Sequence, residues 1–310
     1  MIQDRSKAIA ITLIVLLSMS LGTVLIKMIY ASISPATFLA MSMLVGIIAM
    51  NTYTFLIKKE RIPKEMITPR IWRYIIEIAL CNFVIGTLGM VALSMMSAST
   101  NSFVSNFIGL ITMGLSVIIL KEKPTVWQLV GALVAFIGLR VFFPAIPDRS
   151  ELLGLLLVFI SITGVAYTNN IARKLAIESK NQISNNIIST LAITIGGSIA
   201  VLIYFIIGGF PPVIPSWREW LVILYSGIMS RAIGLTVWNL ILRTLRSYEA
   251  SILGASSVIW TTLLSYLILG ERLTKNQVAG ILLLLIGLVL VQIRVKSPAR
   301  QTPAQPESRP

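Results

Sequence analysis

Residues 264–288 read LSYLILGERLTKNQVAGILLLLIGL, and residues 115–139 read LSVIILKEKPTVWQLVGALVAFIGL. In both stretches an apolar run ends at a short charged loop, which is followed by Gln, Gly and a second Gly seven residues later. An offset of 149 residues aligns Leu115, Ser116, Ile119, Leu120, Glu122, Gln128, Gly131, Gly138 and Leu139 with Leu264, Ser265, Ile268, Leu269, Glu271, Gln277, Gly280, Gly287 and Leu288. Apolar helices match one another easily, but a shared charged loop is harder to obtain by chance. The chain therefore carries an internal repeat.

The composition places the chain in the membrane class. Of its 310 residues, 56% are apolar and 12% are charged, and the mean hydropathy is +0.87. Soluble domains are about 45–50% apolar and about 25% charged. This chain has too few polar residues to cover the surface of a water-soluble protein. A protein surface that faces lipid does not need polar residues.

Residue types that are rare or missing exclude several kinds of chemistry. The chain has no histidine, which removes His-based metal sites, acid–base catalysis and proton relays. Its single cysteine, Cys81, cannot form an intramolecular disulfide. The net charge of +14 is carried by short loops between apolar runs, which is typical of membrane orientation rather than of nucleic-acid binding. We expect no metal, no cofactor and no nucleic-acid partner.

Ten apolar runs are candidates to cross about 30 Å of hydrocarbon. They are Ala8 to Tyr30, Ala36 to Ile57, Trp72 to Met95, Ser99 to Leu120, Val126 to Phe143, Leu152 to Ala172, Asn186 to Ile207, Leu221 to Leu242, Ala250 to Leu269 and Val278 to Ile293. The first run is long and lacks an A-x-A cleavage pattern, so we expect a span rather than a signal peptide. The polar, proline-rich tail after Lys296 is predicted to be disordered.

The distribution of Lys and Arg predicts the orientation. With the N-terminus in the cytoplasm, 19 of the 26 basic residues fall in cytoplasmic segments and 4 fall in outer loops. The remaining three, Lys27, Arg140 and Arg231, lie inside spans. Positive loops stay in the cytoplasm, so both termini are expected on that side of the inner (plasma) membrane.

The repeat divides the chain into residues 1–143 and 144–293, with a tail at 294–310. Each half holds five spans, and an odd number forces the second copy to be upside down relative to the first. We predict an all-α fold of ten transmembrane helices in two inverted five-helix repeats. Many secondary transporters have this architecture, and two mirrored states give alternating access. Gene duplication without a transport role is the alternative.

At Leu269-Gly270-Glu271-Arg272-Leu273, followed by Gln277 and Gly280, the chain resembles the ten-span, EamA-type branch of the drug/metabolite transporter superfamily. The first-half counterpart is Leu120-Lys121-Glu122-Lys123, followed by Gln128 and Gly131. Gly22, Lys27 and Pro35 stand where the family's first hairpin usually has a glycine, a base and a proline. The resemblance covers residues 8–293. It implies export or exchange of amino acids, other metabolites or drugs.

The chain departs from the family's pattern at three positions. Ser42 stands where an Arg is frequent, and Gly109 and Val258 stand where each half often has a proline. These departures leave the expected fold unchanged, but they weaken any transfer of a substrate from one family member.

Arg231 is the sharpest candidate for a binding residue. It lies near the middle of the eighth run, where an arginine costs at least about 2.5–3.5 kcal/mol, so it must face protein or a water-filled cavity. Of the acids, only Glu77 and Glu249 fall in or at spans, and neither is at the depth of Arg231. Arg231 is therefore predicted to hold an anionic group such as a carboxylate. A structural role, with carbonyl or amide partners, is the alternative.

Small and polar residues accompany Arg231 in other spans. On its own helix, Gly227 and Gly234 share its face and Trp238 continues the stripe, which suits either helix packing or a pocket. Asn82 with Gly86 and Gly89, and Asn106 with Ser102 and Gly109, form similar stripes that suit either interhelical hydrogen bonds or a cavity wall. Trp260 lies mid-span, away from the interface where Trp is usual, and either lines the cavity or packs. Candidate substrate-binding residues are thus Arg231, Asn82, Asn106, Trp260 and Trp238.

Candidates for coupling or gating lie nearer the ends of the spans. Lys27 is close enough to the outer surface to snorkel, and a gate role is the alternative. Arg140 is expected to snorkel as well, and Glu122 and Glu271 are expected to order their loops through neighbouring bases. Glu77 is the best embedded carboxylate for proton coupling, with Glu249 second. Because no mid-depth acid exists, exchange or facilitated export is the simpler interpretation.

We therefore predict a transporter, not an enzyme, that exports or exchanges small metabolites, with amino acids or organic anions favoured. A multidrug exporter of amphipathic or cationic compounds is one alternative, and a non-transporting membrane sensor or scaffold is another. The expected partners are a small-molecule substrate and the lipid bilayer, and the protein is expected to be a monomer or a homodimer.

Overall fold

The computed structural model describes residues 5–63, 68–119, 121, 124–179, 183–208, 214–233, 254 and 256–291. Within them every regular element is helical. The helices of the first half are α1 (Arg5–Ile29), α2 (Pro35–Asn51), α3 (Pro69–Ile78), α4 (Leu88–Ala92), α5 (Ala98–Ser105), α6 (Ile108–Ile119) and α7 (Val126–Phe142). Those of the second half are α8 (Arg149–Glu178), α9 (Asn185–Gly208), α10 (Trp217–Tyr225), α11 (Ser257–Leu269) and α12 (Lys275–Val291).

All ten predicted spans contain helix, which confirms the all-α membrane fold. Within the described residues, six continuous helical stretches are long and apolar enough to cross a membrane, and α7, α11 and α12 are shorter apolar helices. The eighth span is described from Trp217 to Ile233. The ends match the prediction within a few residues for most spans, but α8 extends to Glu178, well past the predicted end at Ala172. The predicted disordered tail lies outside the described residues.

The outer surface of the bundle is apolar. Large side chains such as Leu56, Ile118 and Ile206 are 69%, 75% and 81% exposed. So much exposed hydrocarbon would be unfavourable in water, and it is the surface that a lipid bilayer solvates.

Two ends of the bundle are distinguished by charge. The basic face is the end where α3 begins at Pro69 and α8 ends at Glu178, and it carries Lys58, Lys59, Arg70, Arg73, Arg173 and Lys174. The opposite face is the end where α1 ends at Ile29 and α12 begins at Lys275.

The crossing of α7 and α12 shows that the two copies are inverted. These helices are equivalent under the 149-residue offset, with the same length and the same ends. A Cβ added to Gly131 would lie 2.5 Å from the Gly287 carbonyl oxygen, and one added to Gly138 would lie 2.9 Å from the Gly280 carbonyl oxygen. Gly131 thus meets Gly287 while Gly138 meets Gly280, so the two equivalent helices run antiparallel.

Helices α2 and α9 form a second antiparallel pair of equivalents. Near the opposite face Gly208 lies against Ala36, and a Cβ there would be 3.2 Å from the Ala36 Cβ. Towards the basic face Asn51 donates to the Thr194 hydroxyl at 2.8 Å. Beyond it the Thr54 and Thr190 hydroxyls are 2.7 Å apart. The two halves therefore interlock along the full length of these helices.

The remaining contacts between halves are reciprocal. Helix α1 packs on α11 as α6 packs on α8, and α2 packs on the eighth span as α9 packs on the third. Each contact thus recurs with the halves exchanged, as expected for two copies related by an in-plane pseudo-twofold axis.

The shared Gln of the two repeat loops has a structural role. Thr125 and Gln128 exchange two hydrogen bonds at the start of α7, with the Thr125 N–H donating to Gln128 Oε1 at 2.8 Å. Thr274 and Gln277 make the same pair of bonds at the start of α12. This capping box satisfies amides that a helix start would otherwise leave unpaired, and it explains why Gln recurs in both copies.

Candidate functional site

In the described part of the chain three spans are irregular at mid-depth, and the irregular segments of the third and eighth spans occupy equivalent positions in the two halves. The third span contains a π segment, Ala79–Val84, and the eighth contains another, Ser226–Ile233. The fourth span breaks after Ser105 and resumes as α6 at Ile108, and α11 begins at Ser257, which is the equivalent residue. Irregular backbone at membrane depth is tolerated where it is buried in protein or lines a cavity, and π segments are frequent at functional sites. These four positions define the candidate site.

Asn82 and Arg231 occupy equivalent positions in the two π segments, because the 149-residue offset relates them. The segment with Asn82 packs on α9, and the segment with Arg231 packs on α2. Both residues therefore lie at contacts between the halves.

Arg231 is half-buried among uncharged groups. It lies against Gly46 of α2, where an added Cβ would be 3.1 Å from Arg231 Cδ and 3.4 Å from Ile193 Cδ1. Its guanidinium interacts electrostatically with the side chains of Tyr30 and Tyr204. The Nε atom is buried and has no hydrogen-bond partner, and no ion pair joins Arg231 to any described acid. The guanidinium thus carries a positive charge with capacity for another acceptor.

Tyr30 and Tyr204 come from the ends of α1 and α9 that lie towards the opposite face. The Tyr30 hydroxyl donates to the Met90 carbonyl at 3.1 Å. The Tyr204 and Thr87 hydroxyls are 2.7 Å apart. These bonds tie the ends of α1 and α9 to the part of the third span that is nearer the opposite face.

Asn106 and Trp260 belong to a second polar group, where α1 meets the break of span four and the start of α11. Asn106 donates to the Ser102 carbonyl at 2.8 Å and to the Ser257 hydroxyl at 3.3 Å. The Ser20 hydroxyl donates to the Ser257 carbonyl at 3.3 Å. Trp260, one turn after Ser257, is half-buried, and its indole N–H has no hydrogen-bond partner. No described contact joins this group directly to Arg231.

Lys27 and Glu271 lie together at the opposite face. Lys27 donates to the Leu93 carbonyl at 2.9 Å and interacts electrostatically with Glu271. Glu271 accepts from the Ala98 and Ser99 amides at 2.8 and 3.2 Å and from the Ser99 hydroxyl at 2.8 Å. The expectation that Glu271 orders its loop through neighbouring bases was wrong. The unpaired amides at the start of α5 attract its carboxylate across the boundary between the halves. Its counterpart, Glu122, lies outside the described residues.

Glu77 lies near the basic face. It pairs with Arg73 at 2.8 Å and accepts from the Tyr167 hydroxyl at 3.1 Å. All three residues line a cavity of ≈ 510 Å³ between α3, α6 and α8. Arg140 donates to the Phe143 and Pro144 carbonyls at 2.9 and 3.1 Å, which caps the end of α7 near the interface.

The predicted glycine stripes serve packing where they are described. Gly86 and Gly89 face Val165 and Ser161 of α8, and Gly227 faces Val45 of α2. Gly109 is less crowded, with Leu288 as its nearest neighbour at 3.8 Å. Gly234, Trp238 and Glu249 lie outside the described residues.

Sequence reasoning missed the residues that surround Arg231. Gly46, Tyr30 and Tyr204 come from three different spans, and hydropathy does not distinguish them. Two of them are tyrosines near span ends, where aromatic residues are expected for interfacial reasons alone. Only the helix contacts reveal them as neighbours of the cation.

Comparison with known proteins assigns the family. The EamA-like transporter family matches residues 6–143 and again residues 148–293. This chain belongs to the EamA-like transporter family. It is a multi-pass membrane transporter of the drug/metabolite transporter superfamily and not an enzyme, and the two matches correspond to its repeated halves.

Individual relatives agree with this family but name no substrate. The uncharacterized transporter YcxC of Bacillus subtilis (strain 168) is 25% identical over 212 residues, which is 66% of this chain and 68% of that protein. A solved crystal structure of a protein aligns over 92% of this chain and 95% of its own, with a TM-score of 0.62 and 16% identity. That likeness shows the shared fold alone.

Proposed function

We propose that this EamA-family transporter exports or exchanges small metabolites that carry an anionic group, with amino acids and organic acids as the favoured substrates. The observation that carries the proposal is Arg231, a cation at the contact between the halves that faces Gly46 and two tyrosines and pairs with no described acid. A guanidinium in such surroundings gains most from a bidentate carboxylate. Asn82, at the equivalent position, and Asn106 and Trp260, in the second polar group, are candidate wall residues, and Trp238 remains a further candidate.

Alternating access is supported by the inverted halves and by their equivalent irregular segments. Broken helices at mid-depth offer unpaired backbone groups to a substrate, and two inverted copies allow the bundle to exist in two mirrored states. Exchange or facilitated export fits this chain better than proton coupling, because Glu77, its best embedded acid, is already paired with Arg73.

We propose that the basic face is cytoplasmic, so that both termini lie in the cytoplasm. The support is the excess of Lys and Arg in the loops at that end of the bundle. Arg231 then lies at mid-depth, with Tyr30 and Tyr204 on its outer side.

The rival function is a multidrug exporter of cationic or amphipathic compounds. Trp260, with its unpartnered indole, would suit a flat aromatic substrate. Arg231 argues against the export of cations, because a positive charge at the centre of the bundle repels a cationic substrate. A membrane sensor or scaffold would show no flux at all.

The test is counterflow in proteoliposomes with labelled amino acids, organic acids and cationic dyes, with and without a pH gradient. Replacing Arg231→Gln removes the charge at similar size, and we expect anion exchange to fall about 10-fold or more, because hydrogen bonds to charged groups contribute about 1.5–3 kcal/mol. Arg218→Gln, in the first turn of α10 and away from Arg231, is the matched control and should leave exchange unchanged. Unchanged transport of every compound by the Arg231→Gln protein would remove the case for an anionic substrate.

A further inference from the structure

A cavity of ≈ 510 Å³ opens at the basic face, away from Arg231. Helices α3, α6 and α8 enclose it, so it lies between a helix pair of the first half and the first helix of the second half. Among its lining residues are Arg73, Glu77, Tyr167, Ile171 and Lys174.

Among the described residues that line this cavity, one cation is left without an acidic partner. Arg70 pairs with Glu178 at 2.9 Å, and Arg73 pairs with Glu77 at 2.8 Å. Lys174 lies 5.7 Å from the ring centre of Tyr74, and it forms no ion pair with a described carboxylate. A mobile anion can therefore be attracted without displacing an existing pair.

In the equivalent region of the other copy, Tyr225 of α10 contacts α1. The 149-residue offset relates Tyr167 to Ser18, Ile171 to Gly22 and Ile76 to Tyr225. About halfway along α1, the Tyr225 hydroxyl lies 2.5 Å from the Ser18 hydroxyl and donates to the Ser18 carbonyl at 2.8 Å. A Cβ added to Gly22 would lie 3.3 Å from the Tyr225 ring. The equivalent helices α3 and α8 also touch, since the Tyr167 hydroxyl donates to Glu77 at 3.1 Å, but a cavity lies beside their contact.

We propose that this cavity is the open mouth of the transport pathway on the basic face and an anion-binding site in its own right. Lys174 and Arg73 attract a small organic anion there, before it reaches Arg231. Glu77, which pairs with Arg73, reduces the net positive charge of the mouth. The proposal rests on the function proposed above and adds a second binding step to it. In the mirrored state the contact between Ser18 and Tyr225 opens, and the cavity closes.

The test measures how a thiol placed in the cavity reacts with charged reagents. Ile119, which lines the cavity, is replaced Ile119→Cys in a Cys81→Ala background. An anionic sulfonatoethyl and a cationic trimethylammonioethyl methanethiosulfonate are applied from one side of the membrane at a time. We expect labelling from the basic-face side and a preference for the anionic reagent.

Charge substitutions should move this preference in opposite directions. Lys174→Gln should lower the ratio of anionic to cationic labelling rates about 3-fold or more, and Glu77→Gln should raise it by a similar factor, as expected for a unit charge several ångströms away in water. Arg218→Gln, which changes the net charge equally but lies at the opposite face, should leave the ratio unchanged. In counterflow, Lys174→Gln should raise KM for substrate presented at the basic face and leave KM at the opposite face unaltered.

Three results would overturn the proposal. One is labelling of position 119 from the opposite face alone, and another is a ratio that both substitutions leave unmoved. The third is a preference for the anionic reagent that is present in phosphatidylcholine bilayers and disappears when phosphatidylglycerol is added. That result would show that the cavity binds the headgroup of an anionic lipid. Because labelling does not depend on flux, these failures are distinguishable from a failure of the Arg231 test.

Discussion

Single polar residues at the membrane boundary join the two halves of this transporter. Glu271 shows the principle most clearly, because its carboxylate accepts from two amides at the start of α5 and from the Ser99 hydroxyl. Lys27 lies beside it and donates to the Leu93 carbonyl. A loop of the second half thus holds a helix start of the first.

Removing this carboxylate should destabilise the protein. Glu271→Ala leaves the Ala98 and Ser99 amides without their acceptor, and an unsatisfied buried group costs about 1–3 kcal/mol. We expect a lower unfolding temperature in detergent, with Glu271→Gln intermediate because an amide oxygen still accepts. Arg272→Ala, the exposed neighbour, is the control and should unfold like the parent. Equal unfolding temperatures for Glu271→Ala and Arg272→Ala would show that the cap contributes nothing.

At the scale of elements, glycines decide how closely the equivalent helices approach. Between α7 and α12 the backbones touch at Gly131 with Gly287 and at Gly138 with Gly280. Lipid tails are as apolar as leucine, so close packing rather than the hydrophobic effect holds membrane helices together. This crossing should therefore be intolerant of any added side chain.

Gly287→Ala tests that intolerance. Its Cβ would lie 2.6 Å from the Gly131 carbonyl oxygen and 2.7 Å from the Ala135 amide nitrogen, so the helices must separate. We expect a loss of about 1–3 kcal/mol, as for other overpacked sites. Gly114→Ala in α6 is the matched control, because no atom lies within 4 Å of its added Cβ. That control should be neutral or slightly stabilising, since alanine favours helix over glycine. Similar unfolding curves for the two variants would contradict this account of the crossing.

The irregular segments are the elements that sequence patterns did not predict. Hydropathy predicted the third and fourth spans as continuous, yet the third contains the π segment Ala79–Val84 and the fourth breaks after Ser105. The mean hydropathy of a run depends on its residues and not on its backbone conformation. A π segment or a break therefore leaves the hydropathy unchanged. The family's usual prolines would have marked the breaks, but Gly109 and Val258 stand at those positions.

For the molecule as a whole, the orientation in the membrane is the property most directly open to experiment. Alkaline phosphatase fused after Pro147, between the halves, should be active because that loop is expected outside. The same enzyme fused at the C-terminus should be inactive, and green fluorescent protein fused there should fluoresce. Activity of the phosphatase at the C-terminus would reverse the assignment of the basic face to the cytoplasm.

The amino-acid sequence by itself determined the membrane class, the ten spans, the repeat and the family. These properties depend on composition, on run length and on matches along the chain, all of which are local or linear. It also singled out Arg231, because a charge in the middle of an apolar run is visible without any structure.

Only the tertiary structure decided which residues meet. The neighbours of Arg231, the attachment of Glu271 to the start of α5, the cavity at the basic face and the contact of Tyr225 with α1 all depend on which side of each helix faces another helix. In a bilayer both the lipid-facing and the protein-facing sides of a helix are apolar, so the sequence pattern carries little information about direction. The contacts between the inverted halves supply that information.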